Sequence, residues 1–86
     1  MLRIEYEPSE QRAAAYEDNK RVGICTYEIS DGEWAIMHTI VDPAFGGRGI
    51  ARQLVDRVLE EAEKAAVKVV PVCSYAVKVM NEKARR

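Results

Sequence analysis

Between Val41 and Ala51 the chain reads Val-Asp-Pro-Ala-Phe-Gly-Gly-Arg-Gly-Ile-Ala, and the hydrophobic period is two before this stretch and 3.6 after it. The apolar pair Ile40-Val41 leads in, and Pro43 ends the strand, since proline cannot donate to a sheet ladder. Three of the five glycines follow within four residues, at Gly46, Gly47 and Gly49. The helix that begins there has no Ser, Thr, Asp or Asn to cap it. The first N–H groups of a helix have no intrahelical partner, and a capping side chain usually takes one of them. Glycines leave those donors facing outward at the positive end of the helix dipole, where a phosphate-bearing ligand fits. The same glycines also serve a plain strand-to-helix turn that needs unusual φ angles. Both readings require strands before the loop and a helix after it.

Upstream, Arg3–Glu7 alternates as a first strand, and Pro8-Ser9-Glu10 turns the chain. Arg12–Glu17 is ambiguous because its three alanines favour helix, but the turn-forming Asp18-Asn19-Lys20 after it points to a second strand. Arg21–Ile29 is a third strand, with Val22, Ile24 and Thr26 on one face and Cys25, Tyr27 and Ile29 on the other. Ser30-Asp31-Gly32 turns into a fourth strand, Glu33–Val41, in which Trp34 packs. Four strands joined by short turns form an antiparallel meander.

Downstream, Ala51, Leu54, Val55, Val58, Leu59 and Ala62 fall on one helical stripe. Arg52/Asp56, Arg57/Glu61 and Glu60/Lys64 are spaced as helix-surface ion pairs. Val67–Cys73 is a short β-branched run that predicts a buried fifth strand, parallel to the fourth because a helix crossover separates them. Ser74 is placed to cap a final helix reaching about Lys83, with Ala84–Arg86 fraying. Pro71 predicts that the fifth strand lies at a sheet edge, peels away from the fourth, or does both. Peeling would open a crevice at the carboxyl ends of two parallel strands, beside the glycine loop, where open α/β sheets tend to bind ligands.

Eighty-six residues, 48% apolar and 31% charged, make a single domain, 1–86, of soluble type. No apolar run is long enough to span a membrane, and no signal-peptide core precedes the first strand. Cys25 and Cys73 form no CxxC pair and read as free thiols in a reducing, cytoplasmic setting. Residues 1–42 carry four basic and nine acidic side chains, a net −5, whereas residues 43–86 carry nine and five, a net +4. An anion at the loop would therefore lie beside favourable charge. Neither a P-loop nor a GxGxxG fingerprint occurs. A single histidine and two distant cysteines do not make a zinc site, and balanced charge with 7% aromatics argues against nucleic-acid binding.

This order of elements resembles the GNAT superfamily of N-acetyltransferases, whose coenzyme A signature, [Q/R]-x-x-G-x-[G/A], lies between the fourth strand and the next helix. Here that position reads Gly46-Gly47-Arg48-Gly49-Ile50-Ala51. Gly49 and Ala51 match, and Gly46 replaces the leading Gln or Arg. A small single-domain GNAT-like group is more similar still. It typically reads His-Thr-x-Val-x-Pro before the loop and Val-Val-Pro-x-Cys-x-Tyr-x-x-Lys after the helix. The counterparts here are His38–Pro43 and Val69–Lys78. The motif match covers about the second half of the chain; the first half agrees in strand pattern alone.

The resemblance implies a GNAT-like mixed α/β sheet and acetyl-coenzyme A as co-substrate. It places the pyrophosphate on the loop from Gly46 through Gly47, Arg48, Gly49 and Ile50 to Ala51. Thr39, Ile40 and Val41 would bind the pantetheine arm through their backbone, as an added strand. The absent Gln or Arg at Gly46 removes one side-chain contact but not the amide nest. Cys73, at the end of the fifth strand, is the candidate nucleophile, with a thiol pKa lowered by the helix that starts beside it. His38 is the candidate base, and Tyr75 the candidate acid toward the departing coenzyme A thiolate. Lys78 and Asn81 share the last helix and either touch coenzyme A or are plain surface. Each residue also has an ordinary structural reading: a buried small thiol, a hydrogen-bonded strand histidine, a packed tyrosine. Cys25 reads as core.

The function that follows is acetyl transfer to an amine of unknown identity, by a monomer or weak dimer. A non-catalytic acyl-coenzyme A-binding module is the alternative, since full-size GNAT domains carry an N-terminal helical region and later strands that are expected to be absent here.

Overall fold

The computed structural model describes residues 1–85. Five strands form one sheet in sequence order: β1 (Leu2–Glu7), β2 (Arg12–Glu17), β3 (Lys20–Ser30), β4 (Glu33–Val41) and β5 (Lys68–Pro71). The first four are antiparallel neighbours. Helix α1 (Ile50–Lys64) crosses over to β5, which runs parallel to β4, and α2 (Ser74–Ala84) follows. This is the mixed α/β architecture expected from the periodicity.

Packing overrides the helix propensity of Arg12–Glu17. Ala13, Ala14 and Ala15 are fully buried, and Ala13 and Ala15 join the core beneath α1. Their small side chains let the helix lie close over β2. Between β3 and β4, Asp31 (φ 52°) and Gly32 (φ 76°) both adopt positive φ, the two-residue hairpin geometry that matches strand twist.

The core joins Val22, Cys25, Tyr27, Trp34 and Ile36 of the sheet to Ile50, Leu54, Val55, Val58 and Ala62 of α1 and to Ala76 and Val79 of α2. Full burial of a side chain such as Leu54 contributes about 2 kcal/mol. Tyr27 stacks on Trp34 with ring centroids 4.1 Å apart, and its hydroxyl pairs with that of Tyr6 at 2.7 Å. Burial raises the Tyr27 pKa, with the Tyr6 hydrogen bond adding to it.

Two bulges change the faces read from simple alternation. The β2–β3 register steps between Ala15/Tyr16, from Ala15↔Gly23 to Tyr16↔Arg21, so Val22 is the extra residue and turns into the core beside Cys25 and Tyr27. It does not share a face with Ile24 and Thr26. The β3–β4 register steps from Thr26↔His38 to Tyr27↔Ile36, which leaves Met37 as the extra residue in β4.

The helix ends also differ in detail. Arg57–Glu61 (2.9 Å) and Arg52–Asp56 (3.6 Å) pair as spaced, but Lys64 approaches Glu61 (3.7 Å) instead of Glu60. Arg52 also reaches Glu82 at 2.8 Å, tying α1 to α2. Ala66 (φ 57°) closes α1, with the Val67 N–H returning to the Ala62 carbonyl. Helix α2 includes Ala84 and caps at Arg85; Arg86 lies outside the described residues.

Candidate active site

Asp42 begins the glycine loop. Its Oδ1 accepts from the Ala44 N–H at 2.9 Å and caps a short 3-10 turn, Pro43–Phe45. The turn closes when the Gly46 N–H donates to the Pro43 carbonyl, so Gly46 has already used its amide. Gly47 (φ 78°) and Gly49 (φ 75°) are left-handed and Arg48 between them is not, the kind of alternation from which backbone anion nests are built. Gly49 is the N-cap of α1 and offers no capping side chain; the first intrahelical bond is Gln53 N–H to the Gly49 carbonyl. Among the described residues no protein acceptor takes the N–H groups of Gly47, Arg48, Gly49, Ile50 or Ala51. Gly47, Gly49, Ile50 and Ala51 border a concavity of about 240 Å³, whose walls also include Val41, Phe45 and Tyr75. Two cations lie close by. The Arg48 guanidinium sits 5.1 Å from the Phe45 ring centroid, and Lys20 Nζ lies 5.8 Å from that ring and 3.6 Å from Asp42.

Strand β5 pairs with β4 only from Glu33↔Lys68 to Ile36↔Pro71. It is therefore shorter than the predicted Val67–Cys73. The N–H groups of Val72 and Cys73 both converge on the Ile36 carbonyl at 3.0 Å, which ends the ladder and swings the chain into α2. Pro71 closes the pairing on an edge strand, so both explanations for that proline hold together. Past Ile36, β4 runs on without a neighbour on the β5 side. The Asp42 N–H donates to the Val22 carbonyl, which by alternation turns the backbone of Ile40 and His38 toward β3 and that of Thr39 and Val41 toward the opening. The free edge is thus the Thr39 carbonyl and the Val41 backbone, because the Thr39 N–H faces the Cys73 sulfur. Ile40 instead presents its exposed side chain on the opposite sheet face.

Cys73 stands at the start of α2, as the N-cap, with Ser74 as the first helical residue; Ser74 is not the cap. The Cys73 thiol donates to Thr39 Oγ1 at 3.5 Å, and Thr39 Oγ1 donates to Cys25 Sγ at 3.6 Å. Desolvation raises the Cys73 pKa, but the Thr39 hydroxyl and the N–H groups of Ala76, Tyr75 and Thr39 outweigh it, so the net shift is downward. Those helix N–H groups favour the thiolate without closing a cap hydrogen bond. Cys25 is fully buried, and burial pushes its thiol up to about 11 despite the Thr39 bond.

The structure brings Cys73 together with Thr39 and Cys25, and not with His38. Beyond the Met37 bulge, neighbouring side chains alternate: Thr39 faces the thiols, while His38 is exposed on the other face, opposite Thr26. Tyr75 lies beside the glycine loop. Lys78 and Asn81 line a separate shallow hollow on α2 with Ser74 and Glu82. The Thr39 side chain was missed in the sequence, where only its backbone drew notice. No group of three or more His, Cys, Asp or Glu side chains among the described residues could hold a metal, and no helix is long and apolar enough to cross a membrane.

Comparison with known proteins agrees with this geometry. A family model described as GCN5-related N-acetyl-transferase matches residues 12–85. No curated protein matches. Among solved structures, a GCN5-like protein from Staphylococcus aureus superposes with a TM-score of 0.72 at 27% identity, covering 95% of this chain and 80% of that one. A GCN5-related N-acetyltransferase from Sphaerobacter thermophilus gives 0.66 at 28% identity, over 70% of this chain and 20% of that one. A GNAT family acetyltransferase from Elizabethkingia anophelis with acetyl-CoA bound shares the fold, at 0.67 and 23% identity, over 85% of this chain and 51% of that one. The chain thus spans a fifth of the Sphaerobacter protein and about half of the Elizabethkingia one. With a family model matched across most of its length, on a sheet that opens between β4 and β5 beside a run of free loop amides, the chain belongs to the GCN5-related N-acetyltransferase family.

Proposed function

We propose that this chain transfers the acetyl group of acetyl-coenzyme A to an amine. The observation that carries the reading is the run of unpartnered N–H donors from Gly47 to Ala51, which adjoins the free edge of β4 and leads toward a thiol with a lowered pKa. The pyrophosphate takes the loop amides, aided by Arg48. Gly46 contributes the turn and no amide, and the Thr39 carbonyl and the Val41 backbone offer the pantetheine arm its partners.

In the chemical step, the Cys73 thiolate attacks the thioester carbonyl. A bond forms from Sγ to the acetyl carbon and the coenzyme A C–S bond breaks. Tyr75, on the wall of the loop concavity, gives a proton to the departing thiolate and recovers it from solvent. The amine then attacks the S-acetyl carbon, and Cys73 leaves as thiolate. His38 is exposed on the opposite face of β4 from Cys73 and takes no part in this step; the amine's proton passes to solvent.

Isothermal titration with coenzyme A and acetyl-coenzyme A is the first test, and absence of binding at millimolar concentration sinks the proposal. Release of free thiol with a panel of amines separates an enzyme from a binding module, which would bind without turnover. Intact mass after incubation with acetyl-coenzyme A tests the covalent step: an acetyl adduct that Cys73→Ser abolishes supports it. Turnover by an unmodified enzyme would show direct attack by the amine.

A further inference from the structure

We infer that Thr39 is a positioning residue whose hydroxyl links the two thiols, donating to the Cys73 sulfur when that sulfur is ionised while Cys25 supplies the hydrogen bond to Thr39 Oγ1 in return. The inference rests on reading Cys73 as the reactive thiol.

The geometry is a chain of three side chains from three elements. In the neutral state, Cys73 of the β5–α2 junction donates to Thr39 on β4 at 3.5 Å, and Thr39 donates to Cys25 on β3 at 3.6 Å. A hydroxyl carries one rotatable proton and two acceptor sites. When Cys73 loses its proton, the Thr39 O–H can rotate toward the new negative charge, which vacates its bond to Cys25. Only a neutral Cys25 can then donate back. It is suited to stay neutral, since it is fully buried and burial pushes its thiol up to about 11. One thiol is thus held protonated so that the hydroxyl can stabilise the other as a thiolate. No proton leaves the trio apart from the one Cys73 gives up.

The fold supplies the alignment. Cys25 and Thr39 are cross-strand partners, and the Met37 bulge is what turns Thr39, in place of His38, toward the thiols. Around Cys73, α2 offers the N–H groups of Tyr75 and Ala76, and α1 faces the core with Ile50, Leu54, Val55 and Val58.

The test is the pH profile of Cys73 alkylation by iodoacetamide on the intact chain, read by peptide mass spectrometry so that Cys25 is followed separately. Thr39→Val keeps the branched shape and removes the hydroxyl. Its alkylation midpoint should rise by about one pH unit, the scale of one hydrogen bond to a charged group. At neutral pH the rate should fall only about three- to fourfold, because the more basic thiolate is also more nucleophilic. Thr39→Ser should restore the midpoint, and Cys25→Ala should raise it partway. Circular dichroism confirms that each variant is folded. An unchanged midpoint in folded Thr39→Val, or a folded Thr39→Ser that fails to restore it, overturns the inference. The measurement uses no acetyl-coenzyme A. A protein that shows these shifts but never forms an acetyl adduct would keep the thiol relay and lose the covalent step.

Discussion

Gly49 and Gly32 form a matched pair that separates a ligand-binding loop from a simple turn. Their φ angles are 75° and 76°, and a Cβ built on either meets nothing within 4 Å. Alanine at either site therefore carries the same penalty, the strain of a left-handed L-residue, about 1–2 kcal/mol. The stiffer unfolded chain returns about 0.4–1 kcal/mol of it. Each variant should lose roughly 1 kcal/mol, seen as a Tm lower by about 4–8 °C for a domain of this size. Coenzyme A binding should tell them apart. An alanine at 49 that relaxes toward negative φ turns the Ile50 and Ala51 N–H groups away from the loop concavity. Loss of one or two hydrogen bonds to a charged phosphate costs about 1.5–3 kcal/mol each, so affinity should fall at least about tenfold. Gly32→Ala, in the β3–β4 hairpin, should bind as the parent does. Thermal melts and isothermal titration on both variants complete the comparison. If Gly49→Ala binds coenzyme A as tightly as Gly32→Ala, the glycines serve the turn alone and the anion site is refuted.

Three further outcomes follow from packing and titration. Gly23→Ala puts a Cβ 3.1 Å from Leu54 Cδ1 and 3.2 Å from the Ile40 carbonyl oxygen, so chemical denaturation should show a loss of about 1–3 kcal/mol. Ala66→Gly relieves the left-handed alanine at the end of α1 and should raise Tm by about 4–8 °C, corresponding to about 1 kcal/mol. Cys25 makes stability pH-dependent in alkali. Its folded thiol is raised from 9.0 to about 11, so its contribution is complete below pH 9 and disappears as pH rises toward 11. That loss amounts to about 3 kcal/mol, and urea midpoints between pH 8 and 11 should fall less steeply in Cys25→Ala than in the parent.

The outline of the fold was legible because most of its elements are amphipathic and their boundaries carry proline or glycine. The paired region of β4 ends where Pro43 follows, α1 begins where Gly49 leaves off, and the Asp31-Gly32 turn appears with the φ signs that its residues favour. Arg12–Glu17 became a strand through packing that local propensity does not register: Ala13 and Ala15 serve there as thin spacers under a helix. Bulges were the main blind spot. A bulge adds one residue to one strand and leaves no compositional mark, yet it reverses the facing of everything beyond it. Val22 moved into the core for that reason.

The same limit shaped the site. The glycine loop is encoded locally, by residue types whose backbone angles differ, so its turn and uncapped helix start could be read from eleven consecutive residues. The thiol environment depends on registers between three elements distant in sequence. From spacing alone, His38 and Thr39 are equally near Cys73, and chemistry favours the imidazole. The Met37 bulge decides otherwise by setting which of the two side chains crosses to the core face. That choice also connects the two ends of the crevice. The strand whose edge stays open because β5 stops at Pro71 is the strand that carries the Thr39 hydroxyl to Cys73. Shortening β5 therefore does two things: it leaves the Thr39 carbonyl and the Val41 backbone free, and it lets the chain turn at Cys73 so that a helix start meets the sulfur. Replacing Pro71 with a strand-forming valine tests that coupling. If pairing extends past Ile36, coenzyme A affinity should fall and the Cys73 alkylation midpoint should rise in the same variant. If one changes without the other, the two ends of the crevice are independent.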